Sequence, residues 1–99
     1  MRRDLLAAAA AAAWVAATQA ADLGSEAARR LRAAGVIVPL AAVVSKAQRA
    51  YPGRLLEVEL ERSGTRYLYK LEVVGAGGIV WELYYDARDA TLLAAEPER

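Results

Sequence analysis

The sequence contains no cysteine and no histidine. Thiol nucleophiles, disulfides, imidazole bases and the usual zinc and haem ligand sets are therefore out of reach. Only carboxylates, a few hydroxyls, Lys and Arg could carry catalysis. Net charge is nearly absent too: 13 basic against 12 acidic residues leave +1, which does not mark a nucleic-acid binder. The longest uncharged apolar run, Leu5 to Ala17, has 13 residues, short of the ~20 that span a bilayer. A chain of 99 residues makes one domain at most. Without disulfides, so small a domain depends on a compact apolar core or on a partner.

What is present begins with Met1, Arg2, Arg3 and Asp4, followed by that apolar run and then Thr18, Gln19, Ala20 and Ala21. A basic start, an apolar middle and a small-residue exit read as a secretory signal peptide over residues 1–20. The cut is expected after Ala20, with Ala21 the next choice; a retained anchor or a buried helix of the domain are the alternatives. With no cysteine to acylate, lipid anchoring is excluded. The expected location is the periplasm or the medium, with no stable membrane insertion once the leader is removed.

Residues 21–35 read as a leader or a short helix, in which Ser25 can cap and Gly35 can stop the segment Ser25 to Ala34. The domain proper is expected over 36–96, with 97–99 as a tail. It opens with a helix in "PLAAVVSKAQRAY", where Leu40, Val43, Val44, Ala47 and Tyr51 share one face. Pro52-Gly53 ends it. In "RLLEVELERSG", Leu56, Val58 and Leu60 alternate with Glu57, Glu59 and Glu61, a half-buried strand with an acidic face. A second strand puts Tyr67, Tyr69, Leu71 and Val73 on one face and Arg66, Leu68, Lys70 and Glu72 on the other. After "GAGG", Ile79, Trp81, Leu83 and Tyr85 alternate with Val80, Glu82, Tyr84 and Asp86. A short last strand is expected over Thr91 to Ala94. The predicted fold is α+β: one main helix on an antiparallel meander of three to four strands, with a short extra N-terminal helix if residues 21–35 order.

One face of such a sheet packs on the helix and the other meets water. The second face still holds Leu68, Val74, Val80 and Tyr84. Either these are single apolar residues among charges, or they belong to a docking surface. In the second case its residues are Leu68, Val80, Tyr84, Glu57 and Glu59. Charge divides along the chain: Asp22 to Arg54 carries six basic and two acidic residues, Leu55 to Arg99 five basic and nine acidic. Internal complementarity explains that division, and so does steering toward a charged partner.

No catalytic set emerges. Glu57, Glu59 and Glu61 recur at about 7 Å along a strand, but a flat strand face supplies neither a cleft nor a raised pKa. Pairing with Arg66 or Lys70 suits them better. "DARDA" is too poor in oxygen side chains for an EF-hand-type calcium loop, so Asp86 reads as a turn-former whose carboxylate accepts backbone amides. "GAGG" lacks the Lys-Ser/Thr of a phosphate loop and reads as a hairpin turn. No cofactor or metal is expected, and no nucleic acid as partner.

The stretches "YPGRLLEVELE", "YLYKLEVV" and "GGIVWELYYDARDATLL" resemble the PepSY domain over roughly Val38 to Ala95. Gly53 matches the glycine opening the first strand, Glu57 and Glu59 its acidic positions, and Tyr69 the tyrosine of the middle strand. Tyr85-Asp86-Ala87 matches the "YxDA" region. Where the family continues with Thr-Gly, this chain has Asp89 and Ala90. Alanine in the left-handed conformation costs about 1–2 kcal/mol, so this turn is expected either to take another shape or to carry strain. The resemblance implies a non-catalytic exported module that restrains a peptidase or modulates an envelope sensor protein, with a homodimer as a further arrangement. The alternative is a domain that binds a small ligand or an envelope polymer, for which a pocket near Trp81 and Tyr51 would speak.

Overall fold

A computed structural model describes residues 21–98; the expected signal peptide lies outside the described residues. In chain order the elements are β1 (Ala21–Asp22), α1 (Gly24–Ala33), α2 (Leu40–Ala50), β2 (Arg54–Ser63), β3 (Arg66–Val74), β4 (Val80–Asp86) and β5 (Leu92–Pro97). The strands lie in sequence order in one antiparallel sheet. Both helices lie on one side of it, so the fold is a two-layer α+β domain.

Local chemistry accounts for each boundary. Pro39, at φ −62 and ψ 144, caps α2, because its ring presets the angle at which a helix can begin. The apolar face read from the sequence is the packed one: Val43 and Ala47 are fully buried, with Leu40, Val44 and Tyr51 against the same core. Gly53 follows. A Cβ there would overlap the Val74 carbonyl, so only glycine lets the helix exit pass over the end of β3. Gly77 and Gly78 adopt positive φ in the β3–β4 connection, and the Gly75 amide donates to the Ile79 carbonyl across it.

The core forms where the helices meet the near face of the sheet. Leu60, Tyr69, Leu71, Val73, Leu83 and Tyr85 from β2–β4 bury against Val43, Ala47, Ile37 and Ala28. Tyr69 donates its hydroxyl to the Val38 carbonyl at 2.7 Å, which satisfies a phenol that would otherwise be stranded in the core.

Four expectations change. Leu56 leaves the near face: a bulge lets Leu55 pair with Val73 and Glu57 with Glu72, so Leu56 is extra and 43% exposed. A bulge inserts one residue and shifts the alternation. Ser25 lies within α1 rather than capping it; Leu23 occupies the cap position and makes no side-chain bond there. The last strand begins at Leu92 and reaches Pro97, three residues past the expected Ala94, and the Glu98 amide donates to the Val80 carbonyl. Ala21 and Asp22 form a strand that alternation could not signal, pairing with Arg62 and Glu61.

Candidate functional site

Register assembles the second sheet face in rows. Glu61, Leu68 and Asp86 form one; Glu59, Lys70, Tyr84 and Ala94 the next; Glu57, Glu72, Glu82 and Glu96 a third; Arg54, Val74 and Val80 the last. The third row sets four carboxylates side by side on four strands. Like charges directly opposite are destabilising, so the face needs compensation, and Lys70 supplies part of it. Its ammonium stands 3.9 Å from Glu59. Burial lowers its pKa, but Glu82, Glu61, Glu59 and Glu72 together outweigh burial and hold it above the usual lysine value. Arg66 approaches Asp86 at 4.0 Å.

The carboxylates of Glu72, Glu82 and Glu98 each bring an oxygen within 4.8 Å of the others. Burial pushes Glu82 upward, yet hydrogen bonds with Glu98 and Tyr84 and the charge of Lys70 hold it below the ordinary carboxylate range. Glu98 goes the other way, to about 7, chiefly because it shares a hydrogen bond with Glu82. One proton between two carboxyl groups separates their titrations in this way. Tyr84 donates to Glu82 at 2.8 Å, and burial followed by that bond raises the phenol.

The five residues singled out from the sequence, Leu68, Val80, Tyr84, Glu57 and Glu59, do share this face. Two of them are not exposed. Leu68 is 1% and Tyr84 5% accessible; Tyr84 packs with Ala94 and Leu93 and is held by Glu82. Val80 and Glu59 are half-buried and Glu57 is exposed. The accessible character of the face is therefore acidic more than apolar. Sequence reasoning missed that Glu72, Glu82 and Glu96 continue the row of Glu57 and that Glu98 meets Glu72 and Glu82. Each was visible as an acidic residue, but only register places them together.

Two aspartates hold the turn after β4. Asp86 accepts from the Arg88 amide at 2.9 Å and Asp89 from the Thr91 amide at 3.0 Å. The bonds from Thr91 lower the Asp89 pKa. Ala90 adopts φ 65, so alanine does stand in the left-handed conformation that glycine would take without strain. Its carbonyl accepts from Lys46 of α2 at 2.7 Å.

At the opposite end of the near face, Tyr51 and Trp81 meet in a tilted contact, centroids 5.2 Å apart and planes at 51°. They line a cavity of about 260 Å³ with Ala50, Pro52, Gly75 and Ala76. Among the described residues no helix is long and apolar enough to cross a membrane.

A helical layer on a four-stranded meander, with a glutamate-lined outer face, defines a small two-layer α+β module. Its family is shown directly: the family model of the peptidase propeptide and YPEB domain, PepSY, matches residues 37–96, and the chain belongs to that family. No curated protein and no solved structure matches it.

Proposed function

We propose that this protein is an exported, non-catalytic binding module that restrains a peptidase or modulates an envelope sensor protein. Membership of a family built on peptidase propeptides supports the regulatory role. The observation that carries the binding surface is the row Glu57, Glu72, Glu82 and Glu96 beside Glu59 and Glu61, with Lys70 set among them. Such a face attracts a partner presenting Lys and Arg, mainly by steering its approach and fixing its orientation. Leu68 and Tyr84 act beneath it as supports of the sheet, and Val80 is the apolar contact nearest to it.

The test is peptidase turnover with and without the purified protein, alongside cross-linking in cells from a photoreactive residue at Val80. Capture of an envelope peptidase or sensor ectodomain is expected, weakened by Glu57→Lys together with Glu59→Lys. A protein that slows no peptidase and cross-links to neither class would refute the reading.

The cavity beside Tyr51 and Trp81 favours one alternative, a small ligand or an envelope polymer held against the two rings. Trp81 fluorescence titrated with envelope glycans and peptides would respond under that alternative and stay constant under the first.

A further inference from the structure

The segment before the family-matched region contributes little to the core that it covers. α1 ends four residues before the match begins at Ile37, and Ala28 is its one buried residue. Leu23 and Leu31 are only partly buried against the core. The backbone tie at its start is the Leu23 amide to the Leu60 carbonyl, 2.8 Å, after the two pairs of β1. Its ion pairs, Arg29–Glu26 and Arg30–Glu26, lie within the helix itself. At its end the Gly35 amide donates to Arg32 and the Val36 amide to Leu31, with Gly35 at φ 75. That closing motif ends the helix and turns the chain sharply before Ile37 enters the core.

Cavities open on both sides of the helix. One of about 300 Å³ lies toward α2, with Ala28, Leu40, Val58, Leu60 and Tyr69 inside and Ser25, Arg32 and Glu59 at its rim. The other, of about 390 Å³, lies toward the β2–β3 hairpin, between Ala27, Arg30, Leu31, Arg62 and Tyr67. α1 thus rests on an apolar floor, with an open cleft rimmed by polar and charged side chains along each of its sides. A ten-residue helix is marginal by itself, and thinly packed segments open below the free energy of global unfolding.

We propose that α1, hinged at Gly35, is a displaceable strap over the groove formed by Val58, Leu60, Tyr67 and Tyr69, and that on its release this groove accepts an amphipathic helix from a partner. The occupant's chemistry follows from the present one: a helix presenting small and aliphatic residues at the spacing of Ala27, Ala28 and Leu31, with its charges facing outward. The strap competes intramolecularly, so the partner's apparent affinity is reduced to the fraction of molecules with α1 lifted. The groove floor lies on the opposite sheet face from the acidic rows, with Glu59 of those rows reaching its rim.

Hydrogen exchange and peptide binding test this on the whole protein. Amides of α1 should exchange on the order of 100-fold faster than those of Leu71 and Leu83. Ala28→Glu should abolish α1 protection, leave Leu71 and Leu83 protected, and tighten binding of a labelled peptide copying residues 24–34 by about 10-fold. Ala27→Leu, which extends into the larger cavity, should slow α1 exchange and weaken the same peptide. Equal protection of α1 and the sheet, loss of sheet protection in Ala28→Glu, or peptide binding unchanged by both substitutions would each overturn the proposal.

Discussion

The two helices are nearly equal in length, ten residues for α1 and eleven for α2, and both rest on the same sheet face. They are held very differently. α2 buries Val43 and Ala47 completely and is tied in by the polar bonds Tyr69 to Val38, Val38 to Ala87 and Lys46 to Ala90. For α1 the described ties include the Leu23–Leu60 bond and the short β1 pairing, and its packing rests on one buried alanine with Leu23 and Leu31 partly buried beside it. Amphipathic periodicity is thus enough to seat a helix on a sheet, but the size of the side chains on that face decides how firmly. Branched residues in α2 fill the space above Leu71 and Leu83. Alanine in α1 leaves cavities.

The widest separation should come from paired truncations. Val43→Ala removes two methyl groups from a closed core and should cost about 2 kcal/mol of global stability. Leu31→Ala in α1 should cost under about 1 kcal/mol, because its side chain is only partly buried. Denaturant unfolding of both variants checks this, and equal losses would break the comparison. Next is Tyr69→Phe, which deletes the donor to Val38. A loss of about 1 kcal/mol is expected, and α2 amides should lose protection while those of α1 do not.

A smaller effect, of opposite sign, belongs to Ala90→Gly. Relief of the left-handed alanine, less the extra chain entropy of glycine, should stabilise by about 0.5–1 kcal/mol while keeping the carbonyl that receives Lys46. A raised melting temperature would confirm it, and a lowered one would show that the turn makes use of the methyl group.

The smallest effect is a pH dependence. Glu98 is raised in the fold to about 7 from an ordinary 4.5, so folding takes up a proton there between those values. Its contribution is complete below about 4.5 and is lost as pH rises through 7. Glu82, held low, contributes in the opposite sense: present above 4.5 and lost as pH falls through its depressed value. Lys70 stays charged throughout the window, and Glu72 and Tyr84 complete the group around the pair. Melting temperature should therefore fall between pH 5 and 8, and Glu98→Gln should flatten that slope. The local opening of α1, on the other sheet face, should not share it.

Much of this was legible in the residues. Helical spacing placed α2 with its buried face correct, and alternation placed Tyr69, Leu71, Val73, Leu83 and Tyr85 toward the helix. Ser63-Gly64 and the glycines of "GAGG" located the first two hairpin turns. The resemblance in the three strand stretches identified the family, and the departure at Ala90 left two outcomes open, another turn shape or strain, of which the left-handed alanine is the second. The bulge at Leu56 escaped because a strand with apolar residues at 55, 56, 58 and 60 fits two alternations, and pairing with β3 chooses between them. The burial of Leu68 and Tyr84 escaped because alternation reports which face a residue occupies, not what lies around it there.

The chain's own chemistry determined the class of the molecule: no thiol, no imidazole, one helix-forming segment of firm apolar spacing and strands that alternate with acids. Those are local properties, set by side-chain type and period. Only the tertiary structure decided that four glutamates stand in one row, that the carboxylates of Glu72, Glu82 and Glu98 meet within 4.8 Å, and that α1 has an open cleft along each side. Each of those depends on distances between residues far apart in sequence. Strand register and helix seating fix such distances through the packing of the whole core, and no local pattern encodes them.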